Sequence, residues 1–129
     1  MVPRVTNMHV IELEPEVRDW LDLLPEKHFR KVEEYAGLLA ATGASTPMPF
    51  SRPLRDGVYE LRPTLNGEAT RITYWFASDR RIVLLTVFRK TRIRESAQVD
   101  RAVQARVLCE AEHGPAHVTY TRGESGESS

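Results

Sequence analysis

LRDGVYELRPTLNGEATRITYWFASDRRIVLLTVFRKTRIRESAQVDRAVQAR, residues 54–106, decides the fold. Three strand-like runs follow one another and a helical run closes the stretch. In 58–63, VYELRP, apolar and polar residues alternate, which puts Val58 and Glu60 on one side and Tyr59 and Leu61 on the other. Asn66-Gly67 is a strong signal for a tight hairpin turn, because both positions tolerate positive φ. TRITYWFA, 70–77, is the next strand, and Ser78-Asp79-Arg80 turns it. RIVLLTVF, 81–88, is nearly all apolar and reads as a central strand covered on both faces. From Glu95 to about Ala111 the period becomes helical, with Val99, Ala102, Val103, Arg106 and Val107 on one side.

Working outward, Met8 to Leu13 reads as a short strand rich in β-branched residues. Pro15 suits the first turn of a helix whose apolar face is Val17, Trp20, Leu21 and Leu24. Pro25 ends that helix. A second runs from Glu26 to about Ala41, with Phe29, Val32, Tyr35, Ala36, Leu39 and Ala40 inward and Gly43 placed to stop it. The three prolines of 45–53 predict an extended connector. The expected architecture is therefore α+β, in the order β-α-α-β-β-β-α. An antiparallel meander is packed by an N-terminal helical hairpin and a C-terminal helix. Residues 1–112 are expected to form one domain, and the polar, Gly/Ser-rich 113–129 a flexible tail.

Charge is segregated along the 129 residues. Between Phe50 and Arg106 twelve basic residues outnumber six acidic ones, while both flanking segments are acidic and the total is zero. A cationic sheet suits a polyanion. A single cysteine rules out an intrachain disulfide. No apolar run approaches the roughly 20 residues of a membrane helix, and the first ten residues lack a signal peptide's apolar core. A cytoplasmic location is expected.

Arg62 and Arg71 lie on strands joined by the Asn66-Gly67 turn, and the third strand delivers Arg89 and Lys90 just past Phe88. A meander would bring these four cations together. Like charges that close destabilise a domain unless an anion normally sits among them. Tyr74 and Trp75 fall on opposite strand faces, so one is core and the other is core or a platform for a base. Cys109, His113 and His117 have a spacing that would suit zinc, but Gly114-Pro115 interrupts the helix between the histidines and no fourth ligand is evident. Ser51 and Ser96 lack the neighbours of a hydrolase nucleophile.

In order, Leu54, Gly57, Tyr59-Glu60-Leu61-Arg62, Arg71-Ile72-Thr73-Tyr74 and Phe88-Arg89-Lys90-Thr91 resemble the RelE superfamily of toxin–antitoxin toxins, nearest to its phage Gp49-like, HigB-like branch. The resemblance spans about residues 8–110. It implies a small ribosome-dependent endoribonuclease that cuts mRNA with the RNA's own 2′-hydroxyl as nucleophile, without metal or other cofactor. It also implies a cognate antitoxin partner, with a helix-turn-helix DNA-binding domain, and a toxin–antitoxin hetero-oligomer. By position, Arg62, Arg71 and Lys90 are the expected catalytic residues, and Arg55, Arg89, Arg92 and Arg94 the expected RNA contacts. The chain departs from the family pattern in that none of its four histidines falls in the basic sheet, and Ile93, Arg94, Glu95 and Ser96 stand where relatives carry a tyrosine or histidine. The base is then either Glu60 or a lysine, Lys90. The alternatives from other classes are a non-catalytic RNA- or protein-binding module that kept the fold, and an accessory protein whose basic face docks acidic partners.

Overall fold

The structure is a computed structural model, and it describes residues 8–91 and 95–112. The expected tail at 113–129 and the zinc spacing through His113 and His117 lie outside the described residues. The order is β1 (Val10–Leu13), α1 (Pro15–Leu23), α2 (Glu26–Thr42), β2 (Ser51–Arg55), β3 (Val58–Leu61), β4 (Thr64–Leu65), β5 (Glu68–Ala77), β6 (Arg81–Arg89) and α3 (Glu95–Glu112). The α+β class and the three helices agree with the sequence reading.

Two strands and one pairing differ from it. The prolines of 45–53 hid β2, which pairs antiparallel with β3 and forms the sheet's edge. Pro53 is tolerated there because an edge strand needs only half of its backbone donors. The Asp56-Gly57 turn that joins the two strands has φ of 51° and 77°, the pair of positive values a tight hairpin demands. Asn66-Gly67 does the same at 53° and 78° between β4 and β5. Lastly, β1 joins the far edge parallel to β6, with Val10 opposite Arg81, so the sheet is mixed and ordered β1-β6-β5-β3-β2. The connection between these two parallel strands runs through residues 14–80, with α1 and α2 at its start.

Both sheet faces are covered. Leu61, Ile72, Tyr74, Ile82 and Leu84 meet Val17 and Leu21 of α1 and Val32 and Leu39 of α2 in the larger core. Each fully buried aliphatic side chain contributes about 1.5–3 kcal/mol. On the other face Val58, Val83 and Leu85 pack against Ala102 of α3, flanked by Trp75, Val103, Ala105 and Cys109. Tyr74 and Trp75 are thus both packing residues, and the Arg106 guanidinium lies 5.3 Å from the Trp75 ring centroid. Val107, expected inward, is exposed. Among the described residues no helix is long and apolar enough to cross a membrane.

A candidate anion-binding site

Cross-strand register builds the site. Arg52 of β2 stands opposite Glu60 of β3, Glu60 opposite Thr73 of β5, and Thr73 opposite Thr86 of β6, a row of polar side chains on the α3 face. One step toward the sheet's end, Arg71 pairs with Phe88. The end itself is tied by backbone bonds: Arg62 N–H donates to Phe50 O at 3.0 Å, and Lys90 N–H to Ala69 O at 2.8 Å.

Glu60 is the hub. Only 1% of it is exposed, and three guanidinium groups from three chain segments meet its Oε2. Arg62 Nη1 donates to that oxygen at 2.7 Å, Arg52 Nε lies 3.5 Å away and Arg71 Nε 3.6 Å away. Arg71 also donates from Nη1 to the Thr70 carbonyl at 3.1 Å. Burial, with Arg62 beside it, pulls the Arg71 guanidinium below its ordinary value, while Glu60 and Glu95 oppose that shift. An arginine so placed still keeps its charge. Three cations against one carboxylate leave a surplus of two positive charges in a half-buried patch. Glu60 Oε1 and Arg71 Nε, both buried, have no hydrogen-bond partner. Buried polar atoms left unpaired are costly, which marks the cluster as strained for a purpose other than stability.

Lys90 stands at the rim, 3.2 Å from Glu95 Oε2 at the start of α3. The other expected residues separate from this group. Arg55 is exposed and held by Asp56 and by Asp100 of α3. Arg89 pairs with Glu68 at 3.4 Å, and its register with Thr70 turns it to the sheet face opposite Arg71. Arg92 and Arg94 lie outside the described residues. Arg52 was missed, because a stretch read as connector carries no face, and Ser51-Arg52-Pro53-Leu54-Arg55 has no apolar–polar alternation to mark a strand.

A cavity of about 250 Å³ lies beside α2's C-terminal end, with Met48, Ser51, Arg52, Pro53, Tyr59 and Tyr74 among its walls. Its lining holds no carboxylate, amine or imidazole. Burial pushes the Cys109 thiol up to about 11, which disfavours its thiolate.

Residues 19–108 match the family described as "Phage derived protein Gp49-like". Among solved structures, the E. coli toxin RelE, as an arginine-substituted mutant in the free state, superposes with a TM-score of 0.56 at 12% identity, covering 78% of this chain and 99% of that one. The toxin–antitoxin complex RelBE2 from Mycobacterium tuberculosis aligns at 23% identity and a TM-score of 0.49, over 64% of this chain and 92% of that one. The archaeal RelE–RelB complex from Pyrococcus horikoshii aligns at 19% and 0.48, over 67% and 99%. A search of the curated proteins found no match. With the family matched over most of its length and the fold shared with RelE, this chain belongs to the phage-derived Gp49-like family and has the RelE-like toxin fold.

Proposed function

We propose that the protein is the toxin of a type II toxin–antitoxin pair and acts as a metal-independent endoribonuclease on mRNA during translation. The observation that carries this reading is the arginine cluster: Arg52, Arg62 and Arg71 on one Glu60 oxygen, with two unbalanced positive charges. A phosphodiester brings the missing charge and acceptor oxygens. Arginines suit it because a guanidinium meets two phosphate oxygens at once. In this reading Arg62 and Arg71 hold the scissile phosphate and stabilise the charge that builds up on it, and Lys90 acts at the rim. Arg55 and Arg89 contact flanking RNA; they sit in exposed ion pairs, which exchange for phosphate at little cost.

The partner is a cognate antitoxin. Support comes from the two aligned complexes, whose toxins are bound to antitoxins; a helix-turn-helix domain in the antitoxin is part of the proposal. The test is induction in a bacterial host, followed by mapping of RNA ends. Wild type should arrest growth and leave 2′,3′-cyclic phosphate termini in translated messages, and the Arg62→Ala/Arg71→Ala double variant should do neither. If wild type is as harmless as the double variant and leaves mRNA intact, the reading fails. One observation favours a second reading, a binding module without chemistry: neither His9 nor His28, the described histidines, takes part in the arginine cluster. RNA binding without new ends would select it.

A further inference from the structure

Two carboxylates stand among these cations, and they differ in what can reach them. A base for the 2′-hydroxyl must offer an oxygen to substrate at about 2.6–3.2 Å. Glu60 cannot do so as folded: its side chain is 1% exposed, Oε2 is ringed by three guanidinium groups and Oε1 is sealed in the protein. Opening it would dismantle the phosphate site. Glu95 is 27% exposed at the first position of α3; its Oε2 is buried on the Lys90 side, so the exposure belongs to the rest of the side chain. It makes one ion pair, with Lys90, and its charge is felt by Arg71 across the patch.

Resting on the RNA-cutting reading above, the geometry points to Glu95 as the group that takes the proton of the attacking 2′-hydroxyl, with Lys90 as donor to the leaving oxygen and Glu60 as a positioning residue that gathers the arginines. The 2′-oxygen gives its proton to the Glu95 carboxylate and forms a bond to phosphorus. The bond from phosphorus to the 5′-oxygen breaks, and that oxygen leaves with a proton from the Lys90 ammonium. The products are a 2′,3′-cyclic phosphate and a 5′-hydroxyl. Glu95 is then protonated and Lys90 neutral, and exchange of one proton between this ion pair, directly or through solvent, restores both charges. No oxidant, metal or co-reactant enters the balance.

The experiment compares wild type, Glu95→Gln, Glu95→Asp, Glu95→Ala and Glu60→Gln for cleavage of a defined mRNA in a purified translation mixture, alongside RNA affinity and thermal melting. Glu95→Gln should lose cleavage about 100-fold or more, the scale of a lost proton acceptor, with affinity and melting unchanged. Glu95→Asp should recover part of the rate, and formate should partly rescue Glu95→Ala. Glu60→Gln should instead change RNA affinity and its salt dependence, since it alters how the arginines are held. Glu95→Gln cleaving within threefold of wild type overturns the assignment and leaves the toxin reading standing. So does a Glu60→Gln protein that binds normally and cuts nothing. A wild type that cuts no RNA under any translating condition removes both.

Discussion

Glu16, in the first turn of α1, grips Arg101 of α3 through two hydrogen bonds of 2.6 and 3.0 Å, one to each of its oxygens. Its Oε2 also accepts the Val87 amide of β6 at 3.0 Å. One carboxylate thereby ties together helices that lie on opposite faces of the sheet. The pair is partly exposed, which limits its electrostatic share to about 0.2–1 kcal/mol, but the amide would be left without an acceptor. Glu16→Ala should therefore cost about 1–2 kcal/mol in urea denaturation, and Arg101→Ala about half as much. Equal losses for the two variants would show that the amide bond contributes nothing.

A second expectation concerns Gly43, the residue that terminates α2. Its φ of 54° with ψ of −129° belongs to glycine alone, and a Cβ there would fall 2.6 Å from His9 Cε1. Gly43→Ala should destabilise the fold by about 2 kcal/mol or more. Shrinking His9 to alanine in the same protein should return only the steric part, because the backbone strain remains. Full recovery in the double variant, read by thermal melting, would contradict the conformational argument.

Beneath Glu60, the Thr73 and Thr86 hydroxyls bond each other at 2.6 Å, and Thr73 Oγ1 also accepts the Thr86 amide at 3.1 Å. Thr73→Val should cost about 1–3 kcal/mol, since it strands a buried hydroxyl and a buried amide. Thr86→Val should cost less. In the double variant the hydroxyls go together, so its loss should fall short of the sum by about 0.5 kcal/mol or more. Strict additivity would mean the two side chains are not coupled.

The arginines should separate by their salt dependence. For single-stranded RNA, each phosphate that a cation no longer neutralises lowers the slope of log affinity against log salt by about 0.7. Arg52→Ala and Arg62→Ala should each free about one phosphate, and Arg55→Ala, ion-paired at the far end of β2, clearly less. Identical slopes for all three variants would indicate diffuse attraction and no cradle.

Cys109 gives a pH expectation. Its thiol is raised from 9.0 to about 11 in the folded protein, chiefly by burial. A raised value means the contribution to stability is complete below pH 9 and is lost between about pH 9 and pH 11. At pH 8 the native thiol should react with iodoacetamide about 100-fold more slowly than in urea, matching the two-unit difference in thiolate. Equal rates would show that the thiol is open to solvent.

The local pattern was enough to place β5, β6 and both N-terminal helices, because the helices show a clear period and the strands are apolar runs bounded by turns. The convergence of Arg62 and Arg71 was also legible, since a two-residue turn leaves little freedom in how neighbouring strands pair. Arg89 shows where that reasoning stops. It follows Phe88 directly, and only the pairing of Phe88 with Arg71 decides that Arg89 faces the other way. Register is a tertiary quantity, set by which strand faces match, and it is not written in any one strand. Arg52 and the parallel pairing of β1 escaped for related reasons. Prolines masked one strand, and the other pairs with residues far along the chain. On α3 the helical period was right, but the sheet beneath it is narrow, so Ala102 is buried while Val107 is left in water.

That distant pairing has a temporal consequence. β1 cannot dock until Arg81–Leu84 exist to receive it, and contacts of such long sequence separation form late. Glu95 is made later still. A polypeptide whose residues 81–95 have not yet left the exit tunnel therefore has neither a complete sheet nor a finished cluster. Whatever this protein does to RNA starts only once the segment through Glu95 has been made and is free to fold.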